Sequence, residues 1–514
     1  MMGKFYISPV LRMCLVCFLA LLACNLPSQM AVHPGISVED LRATLAAQST
    51  PAEGGAGGTA LATETAKTSQ SMHPNLFPGE LLLEGNQYIY LSLPGDTLPA
   101  LASRFGVAPD QIHSARALPA PGLIPPGARL SIPNRIGQPP YSQPLLPDSE
   151  VVFSPSTAAF DIQAYIQQAG GYLSVYSETF EGELLSGSEV VRRVAVESSV
   201  NPRFLLALVE HRSGWVFSQP ASPTDYPVGF HIGGQSGLYR ELVMVATHLN
   251  MGYYSWRDGS RVEMKYTDGI VERMSPQLNA GSAAVQSLFS KLYRQASWYQ
   301  ALYAAGGFLE LYWKMFGDPW ARAAEIEPLL PANLAQPTLE LPISPGERWS
   351  LTAGPHPSWK TGSPRGALDL APVTGEPACA VSRVWALASA PGLVVRSERN
   401  VVAIDLDGDG LEQTGWVLIY MHIADEQRLQ AGVRVQVDEP LGHPSCQGGA
   451  STGTHLHIAR KFNGEWLAAD GPLPFVLGGW QAYADERNYY GGLIKGDRQV
   501  VASPVGPQTS ILTR

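Results

Sequence analysis

The spacing of apolar residues changes along this 514-residue chain, and that spacing predicts where helices and strands fall. In the N-terminal part a short alternating stretch predicts a strand, followed by the turn Pro94-Gly95-Asp96-Thr97, whose Asp or Thr can cap a helix. Leu98, Leu101, Ala102 and Phe105 then recur at helical spacing. A second short helix is expected after Ala108-Pro109-Asp110, and the segment from Ile124 to Pro133 closes with a strand. Farther along, Phe204, Leu205, Leu208 and Val209 make one helical face, and Leu242, Val243, Ala246 and Leu249 make another. The C-terminal part reads instead as strands and turns, with an apolar run from Trp416 to Met421 that delivers His422 at its end.

Three stretches interrupt these patterns. Gln48 to His73 holds Ser, Thr, Gly and Ala, including Gly54-Gly55-Ala56-Gly57-Gly58, and reads as a flexible tether. Arg135 to Ser149 is rich in Pro and Gln, and Glu327 to Glu347 contains five prolines. The expected organisation is therefore an N-terminal secretory segment over 1–23, a tether over 24–85 and a small βααβ unit over 86–135. A helical domain over 154–325, a mostly-β domain over 345–490 and a C-terminal tail over 491–514 complete it. Hydrophobic residues at 45%, charged residues at 16%, 51 Gly and 42 Pro exclude a coiled coil or a wholly disordered chain. The formal charge of −10, with no run of Lys or Arg, argues against a nucleic-acid partner.

Lys4 and Arg12 precede an apolar stretch, Met13 to Ala23, about half the ~20 residues that a permanent membrane span needs. It reads as a secretory signal. The sequence Leu21-Leu22-Ala23-Cys24 resembles the lipobox of bacterial lipoproteins, which implies that Cys24 is acylated and anchors an exported protein to the membrane. Cys14 and Cys17 would leave with the signal, so Cys379 and Cys446 remain, and in an exported protein that pair is expected to form a disulfide.

The middle domain carries no comparable signal. Its segment Asn201 to Trp215 vaguely resembles the part of lysozyme-like transglycosylases that holds a catalytic Glu before Ser, but Arg212 stands there, and a guanidinium cannot act as the general acid. Glu210 is the remaining candidate donor, and the expectation is a non-catalytic helical domain that resembles a decayed lysozyme-like one.

Chemistry concentrates in the C-terminal domain, which holds His356, His422, His443, His455 and His457, five of the chain's eleven His. In Gly453-Thr454-His455-Leu456-His457, strand alternation puts both imidazoles on one face. Gly354-Pro355-His356 and Gly366-Ala367-Leu368-Asp369 add another imidazole and a carboxylate, the ligand types that zinc prefers. These four stretches, in this order, resemble the M23 family of zinc metallopeptidases, which cut peptide bonds in bacterial peptidoglycan. Twelve residues separate His356 from Asp369, an interval that matches the family's staphylolysin and beta-lytic branch. The resemblance implies His356, Asp369 and His457 as zinc ligands and His422 and His455 as catalytic residues. Tyr420 is expected on the same strand face as His422, and His443 matches no position of the motif. The long interval is expected to place a loop containing Trp359 and Gly362 beside the metal, narrowing the groove in favour of small residues.

Asp405-Leu406-Asp407-Gly408-Asp409-Gly410 looks like the start of a calcium loop, but its twelfth position is Trp416, so it is read as a hairpin turn. The N-terminal unit, with its Pro-Gly-Asp-Thr-Leu turn and final Pro-Gly-x-x-Leu-x-Ile-Pro, resembles the LysM module, which implies binding to N-acetylglucosamine-containing glycans. The expected function is an exported, lipid-anchored zinc endopeptidase acting on peptidoglycan, with a non-catalytic activator of other wall hydrolases as the alternative.

Overall fold

The computed structural model describes residues 79, 81–137 and 140–514; the secretory segment, Cys24 and the Gly-rich tether lie outside the described residues. Strands Leu81–Glu84, Gln87–Leu91, His113–Ser114 and Arg129–Pro133 form an antiparallel sheet, in which 87–91 and 129–133 are central. Helix Leu98–Phe105 starts where the Thr97 hydroxyl accepts from the Ala100 amide and ends at Gly106, whose left-handed backbone closes it. Its Leu101 and Phe105 pack on Tyr88, Tyr90, Leu130 and Ile132. The second helix expected here is only a 3-10 turn, Pro109–Gln111, because the chain is already extended at Ile112. The unit is also fastened to the next one: buried Arg104 pairs with Asp96 and donates to the Trp256 carbonyl.

The middle unit is helical, as the periodicity predicts. Helices Gly187–Ser198, Pro202–Ser213, Leu238–Asp258 and Ala280–Leu292 enclose Phe204, Leu205, Leu208, Val209, Leu242, Ala246 and Leu249, all fully buried or nearly so. Its limits are wider than 154–325. Leu145, Leu146, Val151 and Val152, in and beside the Pro/Gln-rich stretch, are buried in the same core.

The C-terminal unit is built on a nine-stranded antiparallel sheet. Its central strands are Val401–Asp405, Trp416–Met421, Leu456–Phe462, Arg365–Pro372 and Arg348–Pro357, adjacent in that order. The period of two along each strand divides the sheet's apolar residues between two cores. Leu368, Val402, Ile404, Leu418, Tyr420, Leu456 and Ile458 face one side. Ala367, Val401, Ala403, Val417, Ile419 and Ala459 face the other, where they share a core with the helical unit.

Two expected boundaries are corrected. Residues 491–514 are not a tail: Gly491–Lys495 and Arg498–Val501 extend a small sheet, and Ile511–Thr513 pairs with Arg348–Pro357. The Pro-rich stretch 327–347, expected to separate the helical and mostly-β domains, belongs in part to the latter, since Leu339, Leu341 and Ile343 are buried in the C-terminal core. Alternation of those three residues between the prolines was the signal for burial. No helix among the described residues is long and apolar enough to cross a membrane.

Candidate metal centre

His356 and Asp369 lie on neighbouring strands, and Asp369 pairs in register with His457 on the strand beyond. Because Asp369 shares parity with Ala367, and His457 with Ala459, both side chains emerge on the face turned to the helices. Nε2 of His356 and Nδ1 of His457 each lie 3.2 Å from Oδ1 of Asp369, and 3.1 Å from one another. Three ligands on a tetrahedral zinc at ~2.0 to 2.1 Å stand roughly 3.3 Å apart, so the triangle has the dimensions of one face of such a site.

The second ring nitrogens point outward onto backbone carbonyls. Nδ1 of His356 is 2.9 Å from the Gly354 carbonyl and Nε2 of His457 is 3.0 Å from the Ser358 carbonyl. Each carbonyl can only accept, so each outward nitrogen carries the proton and each inward nitrogen presents a lone pair. Oδ1 of Asp369 is buried without a hydrogen-bond partner. The two ring nitrogens and the carboxylate oxygen converge closely enough to hold one metal ion, and two nitrogens with one oxygen suit zinc. Burial alone would raise the Asp369 carboxyl, but His356 and His457 outweigh it and hold the group well below its ordinary range. Burial pushes His457 down, whereas Asp369 overcomes the same effect at His356 and raises it.

His455 and His422 stand beside this triangle with their ring centroids 4.3 Å apart. His455 directs Nδ1 to the Gly453 carbonyl at 2.8 Å, leaving Nε2 as acceptor, 3.7 Å from Oδ2 of Asp369. His422 directs Nδ1 to the Gln447 carbonyl at 2.8 Å, and burial together with His455 pushes its ring down to about 4. The neutral ring therefore also offers an unprotonated Nε2.

Tyr420 does not join them. It faces the opposite core, where its buried hydroxyl accepts from the Ser389 amide at 2.8 Å. His422 has a left-handed backbone, φ 63°, which breaks the strand's alternation and turns its ring to the metal side. His443 is likewise remote: its ring nitrogens are engaged by the Val384 carbonyl and Gln427. Cys379 and Cys446 form the expected disulfide, beside the segment that carries Ser451 and His455.

The expected loop lies beside the metal, where Trp359, Lys360 and Thr361 line the same cleft as the site residues, but its tip is turned to the helical unit. Trp359 stacks on Trp466 and Gly362 packs against helix Leu238–Asp258, so the loop fills the seam between the two units. A cleft of about 1700 Å³ passes the five site residues, and the helical unit contributes Glu181, Arg193, Glu197, Tyr239 and Thr247 to its lining. Tyr489, from the region near the expected tail, also lines it. Within the helical unit, Glu210 accepts from the Val216 and Phe217 amides and Arg212 donates to Tyr293 and the Val228 carbonyl, so both are engaged in holding loops.

Asp405, Asp407 and Asp409 also bring carboxylate oxygens within 4.8 Å of one another. Asp405, however, accepts from the amides of Asp407, Gly408 and Gly410, and Trp416 begins the returning strand, as a hairpin connection requires.

Residues 144–332 match the family described as the LasA N-terminal domain. Protease LasA of Pseudomonas aeruginosa UCBPP-PA14 is 26% identical over 372 residues, covering 67% of this chain and 81% of that protein. The same protein from Pseudomonas aeruginosa PAO1 is also 26% identical over 372 residues. Among solved structures, the M23 metalloprotease pseudoalterin from the deep sea is 22% identical, with a TM-score of 0.28, covering 33% of this chain and 96% of that one. The catalytic domain of lysostaphin from Staphylococcus simulans is 19% identical, with a TM-score of 0.17, covering 24% of this chain and 89% of that one. The chain is thus similar to Protease LasA over two thirds of its length.

Proposed function

We propose that this chain is an exported zinc metalloendopeptidase of the M23 type that cuts peptide bonds in bacterial peptidoglycan. The observation that carries this reading is the inward convergence of His356 Nε2, His457 Nδ1 and Asp369 Oδ1, with both outward ring nitrogens already committed to carbonyls. The similarity to a protease named LasA and the M23-like order of the motifs support the same chemistry.

His356, Asp369 and His457 would hold the zinc. When bound, zinc supplies a Lewis acid at the scissile carbonyl and lowers the pKa of water towards ~7. His455, whose Nδ1 is fixed on the Gly453 carbonyl, takes a proton from the attacking water at Nε2 and returns it to the leaving amine. His422 is placed to stabilise the oxyanion, but with Nδ1–H on the Gln447 carbonyl it can donate from Nε2 only as imidazolium. In its neutral resting form it is a proton acceptor beside His455, so the two rings share the handling of the proton.

The N-terminal unit serves, in this reading, as a LysM-like glycan binder that raises the local concentration of wall peptide, and Cys24 as the lipid anchor that keeps the enzyme at the membrane facing the wall. The face carrying helix Leu98–Phe105 is already engaged, since Ser103 donates to the Gly259 carbonyl at 2.7 Å. Glycan would therefore use the remaining surface.

The test is release of new amino groups from purified peptidoglycan, with and without a chelator and with His455→Ala. Chelator-sensitive release that His455→Ala abolishes is expected. Binding to the wall without any release would leave the non-catalytic activator as the function, and new reducing ends without amino groups would move the activity to glycan cleavage.

A further inference from the structure

The carbonyl that orients His457 belongs to Ser358, the first residue of the loop 358–364, and that loop is internally closed. The Ser358 amide and hydroxyl both donate to the Pro364 carbonyl, at 2.9 and 3.0 Å. The Trp359 amide donates to the Ser363 hydroxyl at 3.0 Å, and that hydroxyl donates to the Lys360 carbonyl at 2.7 Å. A loop tied in this way moves as one piece, so a shift at its tip is felt at Ser358.

The tip rests on the helical unit. A Cβ built on Gly362 would lie 2.4 Å from the Thr247 carbonyl oxygen and 3.3 Å from the Met251 amide, both backbone atoms of helix Leu238–Asp258. Gly362 also has φ +103°, a conformation that a side chain strains. Backbone thus meets backbone at the tip, and neither can yield by a side-chain rotation. A continuous path runs from the helix through Gly362 and the closed loop to the Ser358 carbonyl, then through Nε2–H of His457 to Nδ1 at the centre.

We propose that helix Leu238–Asp258 is a buttress for the metal centre, and that Gly362 is the positioning residue through which it holds His457 in ligand geometry. The helical unit then acts on metal retention from outside the ligand set. This inference rests on the metal-centre reading and adds a function for the helical unit, for which the sequence offers no catalytic group.

The experiment measures zinc affinity of the full chain by competition with a chromophoric chelator, for wild type, Gly362→Ala, Ser363→Ala and Gly464→Ala. Gly464→Ala is the control: its Cβ would lie 1.8 Å from the Phe153 carbonyl oxygen, so it disturbs another part of the same seam without touching the loop. Loss of an outer partner of a ligating His costs roughly 10- to 100-fold in metal affinity. Gly362→Ala is expected to weaken zinc by about tenfold, at the low end of that range, and Ser363→Ala by less. Gly464→Ala should bind zinc as wild type does. If Gly362→Ala fails to fold, Ser363→Ala, which removes a loop tie without adding bulk, carries the test. Wild-type affinity in both loop variants overturns the proposal, as does an equal loss in Gly464→Ala, which would mean general loosening of the seam. A wild-type chain that binds no zinc would instead overturn the metal centre itself.

Discussion

Tyr489 lies flat on His356, with ring centroids 4.7 Å apart and planes inclined by 20°. Their backbones are paired as well, since the Tyr489 amide donates to the Pro355 carbonyl and the Gly354 amide to the Tyr489 carbonyl. Gly354 permits this approach: a Cβ there would lie 2.7 Å from the Tyr490 carbonyl oxygen. His356 is therefore fixed on three sides, by Tyr489 on its face, by the Gly354 carbonyl at Nδ1 and by the other two ligands at Nε2.

Removing that ring should loosen the ligand without deleting it. A stacked aromatic pair contributes ~0.5 to 1.5 kcal/mol, so Tyr489→Ala should weaken zinc by a few-fold, up to about tenfold, while Tyr489→Phe retains it. Chelator competition on the two variants checks this, and equal affinities would show that the stack is incidental.

The five site residues should separate into two classes. His356→Ala, Asp369→Ala and His457→Ala each remove one corner of the triangle, and bound zinc should fall well below one per chain. His455→Ala and His422→Ala should keep the metal and lose turnover by about 10²- to 10⁴-fold, the usual range for a general acid or base. Metal content by mass spectrometry alongside peptide hydrolysis distinguishes the classes, and an active His457→Ala protein without zinc would refute the assignment.

The ligand triangle was legible through the resemblance carried by the four motifs in their order; strand periodicity alone puts His455 and His457 on one face and does not choose between them. Tyr420 was misplaced because strand parity assumes an unbroken strand, and His422 departs from it with φ 63°. Tyr489 could not be placed from sequence: it meets His356 only after the chain has passed through seven intervening strands of the main sheet, so nothing local marks it. The Pro-rich stretches were misread for a simpler reason. Proline clusters mark breaks between units, whereas Leu339, Leu341 and Ile343 alternate between prolines as an extended, buried segment does.

A pH effect is expected at Glu327, beside the Asp148 and Arg257 pair. Burial, with Asp148 nearby, raises the Glu327 carboxyl to about 7, while its Oε1 accepts from the Ser149 amide at 2.8 Å. Because the folded state binds this proton more tightly than the unfolded chain, stability contributed here is present in acid and is lost as pH rises from about 4.5 through about 7. Glu327→Gln keeps the acceptor and removes the titration. Its Tm should match wild type near pH 5 and exceed it at pH 8; parallel Tm profiles across that range would refute the effect.

The disulfide should matter to the catalytic loop as well as to the fold. Cys379 and Cys446 are 67 positions apart, and closing a loop of that size contributes ~4 kcal/mol by the chain-entropy model. Ser451, adjacent to His455 Nδ1, also contacts Cys446 Sγ, so the bond tethers the segment that orients the base. Cys446→Ser should lower the Tm by several degrees and reduce kcat while leaving zinc content unchanged. Loss of zinc in that variant would show that the bond supports the ligands instead.

The two larger units should not survive separation. The sheet places Ala367, Val401, Ala403, Val417, Ile419, Ala459 and Trp466 in the helical unit's core, and exposing seven such residues at ~1 to 2 kcal/mol each costs roughly 10 kcal/mol. That is comparable with the whole stability of an ordinary domain, ~5 to 15 kcal/mol. Polar fastenings add to the loss. Glu197 pairs with Arg399 at 3.0 Å, Tyr253 donates to Glu465 at 3.0 Å, and Arg257 bridges Glu465 and Asp148. Buried Glu465 would then lose both partners from the helical unit, leaving an acid shaped for pairing with none. Residues 328–514 produced alone should therefore aggregate or remain partly unfolded, and supplying residues 140–327 as a separate chain should restore a soluble, zinc-binding complex. Cleavage between the units after folding should leave them associated. A soluble, monomeric 328–514 fragment with the full chain's Tm and zinc content would show that the shared core is dispensable.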